Sequence, residues 1–127
     1  MIGYVTLGTN DLAAHAPFYD AIAAELGYGR MMEFDQFIAW GRMDDPAAGL
    51  ALSKPWDGEK ATHGNGTMVA LAAKDPAQVD RLYRIAMDNG ARDEGAPGPR
   101  GDDGFYAAYF RDPDGNKLNA FCYAPPA

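Results

Sequence analysis

The chain has almost no cysteine. Cys122 is the single thiol among 127 residues, which rules out an internal disulfide and fits a reducing compartment, the cytoplasm. It sits late in an apolar strand, away from any helix N-terminus that would activate it, and so reads as a small buried hydrophobe rather than a nucleophile. No run of eighteen apolar residues is present to span a bilayer, so no membrane partner is expected. The opening Met1-Ile-Gly-Tyr-Val-Thr-Leu7 lacks a basic segment and alternates like a strand, so no secretion signal is expected. Lys and Arg number 11 against 18 Asp and Glu, and they form no cluster. A net charge of −7 argues against nucleic acid as a partner and is compatible with neutral or cationic small ligands.

What is present is a repeated order of elements. With 47% hydrophobic residues, a chain of this length is one domain with enough apolar surface for a core. Tyr4-Val-Thr-Leu7 alternates with period two, placing Val5 and Leu7 on one face and Tyr4 and Thr6 on the other. Thr9-Asn10-Asp11 offers N-cap chemistry for a helix to about Leu26, closed by Gly27, with Leu12, Ala16, Tyr19, Ile22 and Leu26 as its apolar stripe. Pro17 removes a backbone donor there, which predicts a separate or kinked first turn. Thr67-Met-Val-Ala-Leu71 repeats the strand, and Asp75-Pro-Ala-Gln78 repeats the cap with Pro76 at the first helical position. Val79, Leu82, Tyr83 and Ala86 form the second stripe, and Gly90 ends it. Asp11 and Asp75, like Tyr19 and Tyr83, are 64 residues apart.

Further strands follow each helix. Phe37-Ile-Ala-Trp-Gly-Arg42 resembles Tyr106-Ala-Ala-Tyr-Phe-Arg111 at a separation of 69. Each leads through an Asp-Pro turn, Asp45-Pro46 or Asp112-Pro113, into Leu50-Ala-Leu-Ser53 or Leu118-Asn-Ala-Phe121. Asp112-Pro-Asp-Gly115 has type I turn chemistry. It is no calcium loop: its glycine comes fourth instead of sixth, and Tyr123 stands where a bidentate Glu belongs. Gly64-Asn-Gly66 precedes a strand, not a helix, which argues against a phosphate cradle. The predicted fold is α+β, two βαβββ modules in tandem at about residues 1–56 and 64–124, with a linker at 57–63.

In this order of elements the chain resembles the vicinal-oxygen-chelate superfamily, which includes glyoxalase I, bleomycin-resistance proteins and extradiol dioxygenases. The likeness rests on Tyr4-Val-Thr-Leu7 with Asp11-Leu12, Phe18-Tyr19-Asp20, Leu26-Gly27-Tyr28, Gly64-Asn-Gly-Thr67 and Asp112-Pro-Asp-Gly-Asn116, spread over essentially the full length. It implies a curled mixed sheet with a concave cleft that holds the active site, and a homodimer. It also implies metal ligands, usually two histidines and one or two glutamates. Carried over position by position, the first-strand histidine falls at Tyr4 and the glutamate closing the first module at Ala51. The second-module histidine falls at Met68 and the last-strand glutamate at Asn119. Phenol, methyl, thioether and neutral amide form no plausible divalent site, so no metal and no other cofactor is expected.

Strand parity then selects a cleft-facing set. If Val5 and Leu7 face the helices, Tyr4, Thr6, Ala51, Ser53, Met68, Ala70, Asn119 and Phe121 face the cleft. Trp40 and Tyr109, matched in the repeat, are added. The ligand-binding candidates are therefore Tyr4, Thr6, Trp40, Ser53, Met68, Tyr109, Asn119 and Phe121. A wall of this kind suits a small, partly aromatic molecule. Tyr4 and Phe121 would stack, Met68 would adapt, and Asn119 would anchor a polar group. Three expectations stand side by side. One is a metal-independent protein that binds such a molecule and sequesters it. Another is an enzyme with displaced metal ligands or with Tyr4 as proton donor. The third is a homodimeric module whose cleft is filled by its own side chains. His63, in the linker, reads as a surface residue and His15 as a partly buried or surface one, with no catalytic role assigned to either.

Overall fold

Two aspartates start the two helices. In α1 (Leu12–Leu26) the Asp11 side chain accepts the Ala14 N–H at 3.1 Å. In α2 (Pro76–Asp88) Asp75 accepts the Gln78 N–H at 2.8 Å, with Pro76 at the first helical position. α1 runs through Pro17 as one helix and ends where Gly27, at φ +86°, lets Tyr28 N–H reach the Ala23 carbonyl. The structure is a computed structural model that describes residues 1–123, except for the side chains of residues 46–48. Position 124, the expected end of the second module, lies outside the described residues.

The first module is completed by β1 (Tyr4–Gly8), β2 (Gly29–Glu33), β3 (Phe37–Arg42) and β4 (Asp45–Ser53), the second by β5 (Val69–Ala72), β6 (Arg92–Pro99), β7 (Phe105–Arg111) and β8 (Lys117–Tyr123). Each module is strand, helix and three strands. Each forms its own four-stranded mixed sheet, ordered β1-β4-β3-β2 and β5-β8-β7-β6, and neither sheet is closed. β1 and β5 pair parallel with β4 and β8, and all other pairs are antiparallel. The Asp45-Pro46 turn expected from the sequence is not one. The chain reverses at Met43 and Asp44, and β4 already begins at Asp45, which pairs with Arg42. β6 carries two prolines and two register shifts, tolerable because it is an edge strand.

The two helices lie between the two sheets. Tyr19 of α1 packs on Trp40 of β3 at 5.4 Å between ring centres, while its neighbour Phe18 packs edge-to-face on Phe110 of β7 at 6.3 Å. α2 sets Val79, Leu82 and Ala86 against the second sheet, and a single core joins both sheets to both helices. Burial of side chains such as Phe18, Leu52, Leu82 and Phe110 contributes about 1.5–3 kcal/mol each. Since both sheets turn their helix sides toward this core, their other sides, the outer faces, turn away from one another. Among the described residues β1 pairs within the sheets with β4 alone, and β5 with β8 alone.

Candidate functional site

Polar chemistry gathers in two places. One is a buried knot between the modules, at the Asp112–Asn116 turn. Asp112 is 4% exposed and accepts four hydrogen bonds. Oδ1 takes the N–H groups of Asp114 and Asn116, and Oδ2 takes the Tyr19 hydroxyl at 2.5 Å and Asn116 Nδ2 at 2.9 Å. Asn116 Nδ2 also donates to the Gly8 carbonyl, and Asn10 N–H donates to Asp114. Burial pushes the Asp112 carboxyl above the usual aspartate range, against the pull of its hydrogen bonds from Tyr19 and Asn116. Burial, then the charge of Asp112, holds the Tyr19 phenol well above its ordinary value. Every acceptor is occupied and the carboxylate is sealed, so the knot ties β1 and α1 to the second sheet and offers no open reactive group.

Both histidines border this turn. His15 Nδ1 lies 2.8 Å from Asp114 Oδ2 and 3.3 Å from Thr9 Oγ1, and the exposed His63 ring lies against Gly115. Cys122 is buried, as its strand position implied.

The second place is the pair of outer faces. On the first sheet, Tyr4, Thr6, Phe37, Ala39, Gly41, Gly49, Ala51 and Ser53 share one side of the ladder, and Met31 lies over Gly41 and Gly49. Tyr4 is 63% exposed. Thr6 and Ser53 line an open cleft of about 430 Å³ beside Trp56, Asp57 and Lys60. On the second sheet, Ala70, Ala107, Tyr109, Asn119 and Phe121 share a side, with Met68 just before β5 and 42% exposed. Phe121 stacks on Phe105 at 5.8 Å. Asn119 is 3% exposed, and its Oδ1 has no hydrogen-bond partner among the described residues. A buried amide oxygen left unpaired costs about 1–3 kcal/mol.

The structure thus divides the eight sequence candidates. Tyr4, Thr6 and Ser53 meet on the first outer face, and Met68, Tyr109, Asn119 and Phe121 on the second. Trp40 lies on neither. It is buried on the helix side, where Nε1 donates to Asp20 Oδ1 at 2.8 Å. Arg30 grips the same carboxylate with two further bonds and, ahead of the other causes, holds it below the usual range. The cause is register. Trp40 pairs with Leu50 as Phe110 pairs with Leu118, so its counterpart is Phe110 and not Tyr109, and a slip of one residue exchanges the faces of a strand. Arg100 and Lys117, which both approach the Tyr109 ring, were missed: nothing in a glycine- and proline-rich stretch marks the face on which Arg100 will settle, and Lys117, two residues before Asn119 on the same strand, was read as part of the turn.

The four positions at which the resemblance implies metal ligands divide in the same way. Tyr4 and Ala51 lie on the first outer face and Met68 and Asn119 on the second, with a phenol and an amide as their only oxygen donors. Such a set does not fit a divalent cation. Among the described residues no group of three or more His, Cys, Asp or Glu side chains could hold one elsewhere.

Two βαβββ modules, each with a parallel β1–β4 type pair and an outward-turned open sheet, define a fold class, and a fold does not by itself give a function. The profile of the Glyoxalase/Bleomycin resistance protein/Dioxygenase superfamily matches residues 1–120, and the chain belongs to that superfamily. It is 38% identical to a glyoxalase/bleomycin resistance protein from Albidiferax ferrireducens T118, with a TM-score of 0.86 over 95% of this chain and 97% of that one. A glyoxalase/bleomycin resistance protein/dioxygenase family enzyme from Burkholderia phytofirmans PsJN is 19% identical, with a TM-score of 0.77 over 96% and 98%. A lactoylglutathione lyase from Agrobacterium tumefaciens is 22% identical, with a TM-score of 0.68 over 95% and 92%. At such identities the likeness to the last two shows the fold alone. A search of curated proteins finds no match. No helix among the described residues is long and apolar enough to cross a membrane.

Proposed function

We infer that the protein is a metal-independent member of its superfamily that binds a small, partly aromatic molecule on its outer faces and sequesters it in the cytoplasm. The observation that carries this reading is Asn119: a buried amide whose oxygen lacks a donor among the described residues, set among Tyr109, Phe121 and Met68. A ligand that moves aside the side chains sealing this oxygen and donates one hydrogen bond to it recovers the cost of desolvating it, and aromatic contact supplies affinity without a metal. A homodimer belongs to the same proposal. The first outer face of one copy, laid on the second outer face of another, would bring Tyr4 to Met68 and Asn119 and close one cleft.

A thermal-shift screen of aromatic metabolites and antibiotics tests this. A ligand at a hundred times its Kd adds about 2.7 kcal/mol of stability, and Phe121→Ala should remove most of that increment. A screen without a single stabilising aromatic compound would sink the reading. So would stoichiometric zinc, nickel or iron in protein purified without chelators.

A further inference from the structure

The second outer face carries charge that the reading above leaves unused. Arg100, Arg111 and Lys117 stand there with Glu94, in a chain whose net charge is −7. Arg111 is neutralised, its Nε 2.6 Å from Glu94 and its Nη1 donating to the Gly115 carbonyl. Arg111 chiefly, with added attraction from Lys117 and Arg92, holds the Glu94 carboxyl below its usual range. Arg100 and Lys117 form no ion pair among the described residues.

Arg100 is held in place by backbone carbonyls and by one aromatic ring. Its Nη1 donates to the Gly98 carbonyl at 2.8 Å and its Nη2 to the Ala96 carbonyl at 2.7 Å, and the guanidinium rests 5.5 Å from the centre of the Tyr109 ring. Two glycines make the room. A Cβ at Gly95 would stand 3.3 Å from Nη2, and one at Gly98 would stand 3.2 Å from Nη1. Lys117 Nζ approaches the same ring at 5.7 Å. Asn119 lies directly across the ladder from Tyr109, and Phe121 follows it, stacked on Phe105. Alternate residues of a strand are about 6.8 Å apart. Along β8 the face therefore carries a cation, an unpaired acceptor sealed beneath the neighbouring side chains, and an aromatic surface over about 14 Å.

We propose that this face takes an aromatic organic acid. Its carboxylate sits by Arg100 and Lys117, an N–H or O–H next to the acid group moves aside the side chains that seal Asn119 Oδ1 and donates to it, and its ring lies on Phe121 and Phe105. The proposal rests on the small-molecule reading and narrows its ligand. It also reverses what net charge alone suggests, because a ligand responds to the local field and not to the total. Charge-assisted bonds to the two cations supply the strongest contacts.

The test is a titration of ¹⁵N-labelled protein with N-acetylphenylalanine, its methyl ester and 3-phenylpropionate, which remove the charge and the donor in turn. The acid should bind about tenfold or more tightly than either analogue, with shifts centred on Lys117, Asn119 and Phe121. Lys117→Met should weaken the acid about tenfold and leave the ester unchanged, and Lys117→Arg should restore binding. Equal binding of acid and ester, shifts centred elsewhere, or an indifferent Lys117→Met would overturn the proposal. If neutral aromatics alone bind, the broader reading stands and this one fails; if no aromatic compound binds, both fail. If Arg100→Met and Lys117→Met weaken self-association in sedimentation but not acid binding, the two cations serve a second copy of the chain, and the proposal fails.

Discussion

Asp112 and Asn119 lie seven residues apart on one hairpin, are both buried, and have opposite surroundings. Asp112 accepts four hydrogen bonds and joins two modules. Asn119 Oδ1 has none among the described residues, and faces away from the core. The difference is one of satisfaction. A satisfied buried group contributes to folding. An unsatisfied one costs stability, a cost that the proposed ligand would offset. The first outer face points the same way: Ala51, which pairs with Thr6 as Asn119 pairs with Ala70, presents a methyl at the equivalent position.

The sharpest way to break this contrast is to truncate both residues. Asp112→Ala strands four donors around a buried gap, and we expect a loss of about 3–5 kcal/mol in urea unfolding. Tyr19→Phe removes one charge-assisted bond from the same carboxylate and should cost about 1.5–3 kcal/mol. Asn119→Leu should do the reverse, gaining about 1–2 kcal/mol and raising Tm by a few degrees while abolishing stabilisation by ligand. A Tm below that of the parent would make Asn119 a structural residue and erase the contrast.

Acidity offers a finer version. Burial raises the folded pKa of Asp112 above its unfolded value of about 3.9. Its contribution to stability is then complete below the unfolded pKa and is lost as pH rises through the folded one. Acidification from neutrality should return stability through this group, and Asp112→Asn should flatten that part of the profile, as read by unfolding at a series of pH values. His15→Ala should have the smallest effect, about 0.5–1 kcal/mol at most, because its bond to Asp114 is partly exposed. A larger loss would extend the knot to the histidine.

Much of the fold was legible. Both N-caps, the Gly27 stop, the period-two strand at Tyr4–Leu7 and the Asp112 turn are local chemistry, and each is where the residues place it. The candidate site was legible only where strand phase could be counted from a helix-facing neighbour, as for Tyr4, Met68 and Asn119. Trp40 failed because module one takes two residues more than module two between its paired Trp40–Leu50 and Phe110–Leu118 positions, and a repeat aligned by residue type misses such an offset. Arg100 failed because its position depends on backbone carbonyls and glycine gaps formed only after β6 bends.

By itself, then, the sequence determined the inventory: two βαβββ modules, no imidazole or carboxylate at Tyr4, Ala51, Met68 or Asn119, and an apolar stripe on each helix. Those properties belong to neighbours within a few bonds or one strand period. Only the tertiary structure decided that the helices lie between the sheets, that the outer faces turn apart, and that Arg100 and Lys117 converge on one tyrosine ring. Such outcomes follow from how much apolar surface two modules can bury together, and no local pattern carries that sum.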